Sequence, residues 1–146
     1  MFVVAYLLKF IPEPQTNACV SVAPTPQIQV SPFINALITI ESGGGDYWIG
    51  DKGLKDHAYG CLQIRQPVVS DYNRWNKTSL RAEDCLNNRE LSVKICEWYI
   101  NHYATRKLLG HEPTDEDRAR IWNGGPSGWR KSSTVSYWEK VRKVLK

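Results

Sequence analysis

Ser31-Pro-Phe-Ile-Asn-Ala-Leu-Ile-Thr-Ile-Glu41-Ser-Gly-Gly-Gly45, continuing through Asp46–His57 to Ala58-Tyr-Gly-Cys-Leu-Gln-Ile64, is the stretch that decides the fold. Ser31 is a good N-cap and Pro32 a good first helical residue. Phe33, Leu37 and Ile40 share one stripe, with Ile34 and Ile38 beside it. The spacing therefore predicts a helix from Ser31 that stops at Ser42–Gly43, buried along one side. Residues 43–61 hold six glycines and no helical period. They predict a long loop carrying a short β-hairpin, and a loop that long in a small domain is usually functional. Glu41 closes the apolar helix. A helix C-terminus carries partial negative charge, and Ile38 and Ile40 would shield the carboxyl from water. Both effects raise a carboxyl pKa. A carboxylic acid that keeps its proton near neutral pH suits general-acid cleavage of a glycosidic bond.

The rest of the chain reads as helices placed around that segment. Pro67 opens a helix to about Trp75, and Thr78 or Ser79 caps a short turn. Asn88 caps a long helix with Leu91, Ile95, Trp98, Tyr99 and His102 on one face and Val93, Cys96 and Ile100 on a second, so it should be central. Thr114 before Asp115-Glu116-Asp117 is a helix start, ending at Asn123-Gly124-Gly125-Pro126. Thr134 caps a last helix with Val135, Trp138, Val141 and Leu145 inward. Residues 1–30 hold Pro12, Pro14, Pro24 and Pro26 and a short apolar run, Phe2–Leu8. They read as an N-terminal arm or linker, or a weak signal segment, ahead of a domain over 31–146. The expected fold class is mainly α, a single domain with the glycine-rich loop or small hairpin beside a cleft.

At 146 residues the chain holds one domain with a real core. Its net charge of +4 is mild, and no Lys/Arg cluster is interleaved with aromatics, so nucleic acid is not the expected partner. The apolar N-terminal run is too short for membrane insertion. Six Trp and seven Tyr exceed ordinary core needs and suit stacking on pyranose rings. Cys19, Cys61, Cys85 and Cys96 show no zinc spacing; Cys61 and Cys96 read as buried free thiols, the alternative being a disulfide between any two of the four if the protein works outside the cytoplasm. His57, His102 and His111 show no metal spacing either, so neither metal nor cofactor is expected.

Three elements occur in order: Glu41-Ser42-Gly43-Gly44, Ala58-Tyr59-Gly60-Cys61-Leu62-Gln63-Ile64, and Ile121-Trp122-Asn123-Gly124-Gly125-Pro126. Together they resemble the lytic transglycosylase (SLT) domain and the goose-type lysozymes. That resemblance implies a lysozyme-like fold over about residues 31–145 and cleavage of the MurNAc–GlcNAc β-1,4 bond of peptidoglycan, with the protein acting as a monomer. It implies Glu41 as catalytic acid, and Ser42, Tyr59, Gln63, Trp122, Asn123 and Tyr137 as substrate-binding residues. Trp122 stands where those families have Tyr, so a hydroxyl beside the acid is missing at that position. A lytic transglycosylase needs no second acid, because the sugar's own 6-hydroxyl attacks and an anhydro end results. A hydrolytic muramidase needs one. Of Asp46, Asp51 and Asp56, Asp56 lies nearest Tyr59-Gly60 and is the preferred second carboxylate, the alternative being an ordinary turn residue. A chitinase-like activity and a non-catalytic wall-binding module of the same fold are the other readings. The substrate implies an extracytoplasmic site of action, or virion delivery or release at lysis for a phage-encoded endolysin.

Overall fold

Pro32–Ser42 forms helix α1 in the computed structural model, which describes residues 29–145. The Ser31 hydroxyl accepts from the Ile34 amide at 3.2 Å, and Gly43 ends the helix in the left-handed region. Ile34, Ala36, Leu37 and Ile38 are buried. At about 1.5–3 kcal/mol for each large apolar side chain, that face alone anchors α1. The loop after it carries a two-stranded antiparallel hairpin. Strand β1 (Ile49–Gly50) pairs with β2 (Ala58–Tyr59) in the register Ile49 to Tyr59 and Gly50 to Ala58. Tyr59 and Ile64 then exchange two backbone hydrogen bonds at 2.9 Å, folding the Tyr-Gly-Cys-Leu-Gln segment into a tight turn.

Helix α2 (Gln66–Asn76) follows, with Pro67 in its first turn. The short helical turn beyond it is Ala82–Cys85, later than the capping reading of Thr78 or Ser79. The Thr78 hydroxyl instead donates to Asn73 Oδ1 at 2.7 Å, which closes the end of α2. Helix α3 (Arg89–Tyr103) is capped by Asn88 and buries Val93, Ile95, Cys96, Tyr99 and Ile100, making it the central helix. A four-residue helix α4 (Arg106–Leu109), capped by Thr105, was not foreseen, since one turn carries no periodicity to read.

Helix α5 (Asp115–Gly124) starts with a reciprocal capping box. The Thr114 hydroxyl accepts from the Asp117 amide, and the Asp117 carboxylate accepts from the Thr114 amide. Helix α6 (Val135–Val144) closes the fold against α1 and α5. Here two expectations fail. Thr134 makes no side-chain cap, because its hydroxyl is spent on the carbonyls of Gly128 and Lys131, both at 2.8 Å, and on Arg120 Nε at 3.0 Å. The buried positions of α6 are Tyr137 and Val141, with Trp138 and Leu145 partly covered and Val135 exposed. Cys61, Cys85 and Cys96 are buried free thiols. Burial pushes the thiols of Cys61 and Cys85 up to about 11 and holds that of Cys96 well above the usual thiol range, so they remain thiols at physiological pH. No described helix is long and apolar enough to cross a membrane. The N-terminal arm reading lies outside the described residues apart from Gln29 and Val30, and Val30 packs on the core.

Candidate active site

Helix α1 delivers Glu41 to the floor of a cavity of about 360 Å³. The hairpin supplies one wall, with Gly50, Asp51 and Ala58 leading into Leu62, Gln63 and Ile64. Arg65 and Val68, at the start of α2, extend it, and Trp122 and Asn123 at the end of α5 form the opposite wall. Gly50 is a packing requirement. A Cβ there would sit 2.0 Å from Gln63 Oε1, so any side chain would displace the glutamine. Gln63 holds its place by donating to Gly60 O at 2.9 Å and to Trp48 O at 3.4 Å.

Burial raises the Glu41 pKa and is the dominant influence on it. The Tyr137 hydroxyl, the nearby Trp122 indole and the Arg65 charge pull it partly back, while the Asp51 charge adds to the rise. Tyr137 donates to Glu41 Oε1 at 2.6 Å, from a residue 96 positions away and only 8% exposed. Its own pKa is pushed far up, first by burial and then by the Glu41 charge, so it stays a hydroxyl donor. A hydroxyl beside the acid is thus present after all. It comes from α6, where Trp122 on α5 does not carry one.

Of the predicted site residues, Glu41, Gln63, Trp122 and Asn123 line one cavity, and Tyr137 bonds the acid. Ser42, Asp56 and Tyr59 do not join them. The Ser42 hydroxyl turns back to Ile38 O at 3.1 Å. Asp56 lies in a second cavity with Lys55, His57 and Tyr59, on the other side of the hairpin. The Tyr59 hydroxyl there donates to Glu83 Oε1 at 3.3 Å, and a strand's alternation explains the split, since Ala58 and Tyr59 must face opposite ways. The aspartate that shares the Glu41 cavity is Asp51. It follows β1 in the left-handed region, with φ of 53°, a conformation Asp tolerates better than most residues. Its carboxylate is ion-paired with Arg65 Nη2. Arg65 and Val68 were not anticipated, because nothing in their spacing marks a cleft lining. Only the hairpin's left-handed corner turns Asp51 rather than Asp56 to Glu41.

These features define a lysozyme fold: a central helix, an acid at the end of the first helix, and a small hairpin forming one cleft wall. No family model matches the chain. Among curated proteins it is similar to the invertebrate-type lysozyme of Ruditapes philippinarum, 35% identical over 86 residues, covering 58% of this chain and 59% of that one. It is 34% identical over 87 residues to a lysozyme of Magallana gigas, covering 58% of this chain and 60% of that one. The match thus spans about six tenths of the length of these relatives. The crystal structure of Tapes japonica lysozyme superposes with a TM-score of 0.64 at 27% identity, over 78% of this chain and 89% of that one. Meretrix lusoria lysozyme, in complex with Aeromonas hydrophila PliI, superposes with a TM-score of 0.65 at 24% identity, over 78% and 88%, and supports the fold alone. The motif resemblance therefore holds at the level of the lysozyme-like fold. The Ruditapes philippinarum relative is an invertebrate-type lysozyme, where the motifs had pointed to lytic transglycosylases and goose-type lysozymes.

Proposed function

We propose that this protein is a hydrolytic muramidase that cleaves the β-1,4 MurNAc–GlcNAc bond of peptidoglycan, with Glu41 as general acid and Asp51 as second carboxylate. The observation that carries the proposal is the pairing of a buried, Tyr137-bonded Glu41 with the Asp51 carboxylate in one cavity. Their environments differ as the chemistry requires. Glu41 is desolvated and keeps its proton upward in pH, whereas Asp51, at 37% side-chain exposure, faces Arg65 at the cavity edge.

In the reaction Glu41 gives its proton to the glycosidic oxygen as the C–O bond breaks. The oxocarbenium-like charge that develops on the sugar is opposed by the Asp51 carboxylate, and water completes the hydrolysis. Tyr137 stabilises the Glu41 carboxylate left behind, which takes up the proton that water gives off as its oxygen bonds the sugar. The similarity to lysozymes supports this reading. Peptidoglycan lies outside the bacterial membrane, so the site of action is extracytoplasmic.

The deciding experiment is digestion of purified peptidoglycan with mass analysis of the released ends. Reducing ends are expected, and loss of release in Glu41→Gln. Anhydro ends would replace hydrolysis with transglycosylation. Full release by Glu41→Gln would refute the site, and no release by the wild type at any pH would leave a wall-binding module.

A further inference from the structure

Tyr47 and Trp48 are the anomaly of this surface. They are 65% and 48% exposed, yet their rings stack on each other with centroids 5.3 Å apart and an interplanar angle of 29°. Both lie over Gly45, where a Cβ would come within 2.7 Å of the Trp48 ring nitrogen and 3.2 Å of the Tyr47 ring. The rings therefore cover the turn that directly follows Glu41.

The segment bearing them is pinned. Arg89, the first residue of α3, donates from Nε to both Asp46 carboxylate oxygens, at 3.1 and 3.2 Å, and from Nη2 to Gly44 O. The Asn87 amide donates to Asp46 O at 2.8 Å. These contacts tie Gly44 and Asp46, the residues just before the two exposed rings, to the start of α3.

The backbone of this segment adjoins the wall of the Glu41 cavity. Trp48 lies two residues before Gly50, which lines that cavity. The Trp48 carbonyl accepts from Gln63, a cavity-lining residue. Trp48 and Asp51 are three residues apart, at most roughly 10 Å of extended chain, a span that a short oligosaccharide bridges.

Resting on the muramidase reading, we propose that Tyr47 and Trp48 form a carbohydrate-binding platform that receives an N-acetylated pyranose of the same glycan strand, outside the bond being cut. An exposed ring face fits the axial C–H face of a β-1,4-linked amino sugar. The fixed Tyr–Trp stack offers that face without an ordering cost on binding.

The test uses the Glu41→Gln protein and soluble glycan strands of alternating GlcNAc and MurNAc, freed of stem peptides. Calorimetry measures affinity, and N-bromosuccinimide oxidation followed by peptide mapping reads each tryptophan. Trp48→Ala should weaken strand binding about tenfold. Trp48→Phe should lose clearly less, and Trp75→Ala, which removes a more exposed indole near the end of α2, should lose nothing. Bound strands should protect Trp48 from oxidation and leave Trp75 reactive. The oxidation arm needs no platform variant, so a misfolded mutant cannot decide the matter. Strand binding that leaves Trp48 unprotected, or an equal loss in Trp75→Ala, overturns the platform while leaving hydrolysis by the wild type intact. Protection of Trp48 by protein concentration alone, with a matching rise in sedimenting mass, overturns it in favour of self-association. Absence of both strand binding and wild-type hydrolysis overturns the platform and the muramidase reading together.

Discussion

Tyr137→Phe removes one oxygen atom and keeps the ring that packs against α1. The lost hydroxyl donates to Glu41 Oε1 at 2.6 Å inside the fold. A hydrogen bond to a charged group is worth about 1.5–3 kcal/mol, and burial shields this one from solvent screening. The bond strengthens as Glu41 gives up its proton, so it favours the carboxylate over the acid. If half of the charge has developed in the transition state, the loss is about 1 kcal/mol, or roughly a fivefold fall in kcat. KM should hold, because the hydroxyl touches the enzyme's carboxyl and not the sugar. The pH profile gives an independent reading. Removing a donor to the carboxylate raises the Glu41 pKa further, so the alkaline limb of kcat should move to higher pH. Turbidity clearing of peptidoglycan suspensions across pH, for both proteins, measures both effects. An unchanged kcat with an unmoved limb, or a limb moved to lower pH, would refute the assignment of Tyr137 as the hydroxyl that tunes the acid.

Asp51→Asn should lower kcat by about a hundredfold or more, as expected for removal of a general base or charge stabiliser. Asp56→Asn, across the hairpin, should stay within about twofold, and matched digests of the two variants decide between the aspartates. Glu41→Gln should raise the melting temperature at neutral pH. The folded-state pKa of Glu41 is raised by burial, so its stabilising protonation is complete below the ordinary carboxylate range and is lost as pH rises through the raised value. Calorimetric melts at acidic and neutral pH should therefore show the gap between variant and wild type opening only as pH rises. The described domain holds Cys61, Cys85 and Cys96 as buried thiols, so a reductant should leave both the melting temperature and the activity of the protein unchanged. A fall of several degrees in dithiothreitol would show a disulfide at work.

Much of the fold was legible because its signals are local. Ser31, Asn88 and Thr114 each cap by a bond to an amide three residues on, so the residue and its partner appear together in the chain. The place of Glu41 was legible for a related reason: the apolar stripe before it and the glycine run after it fix it in the last turn of α1. Thr78 and Thr134 make no side-chain cap because their hydroxyls are engaged elsewhere, that of Thr78 by Asn73 at the end of α2. Thr134 had the right chemistry for a cap, but Arg120 and the Gly128 carbonyl claimed its hydroxyl.

By itself, then, the sequence determined the starts of the longer helices, the hairpin's place and the position of Glu41 at the end of α1. The partners of that acid were settled only in three dimensions. Asp51, Asp56 and Asp46 are alike in composition and lie within one loop. The left-handed backbone at Asp51 and the phase of β1 and β2 decide that Asp51 joins Glu41, that Asp56 faces the second cavity and that Asp46 clamps Arg89. Tyr137 reaches Glu41 only because α6 packs on α1. Side-chain direction depends on turn geometry and helix docking, which sum over contacts distant in sequence, whereas caps and periodicity are written within a few residues.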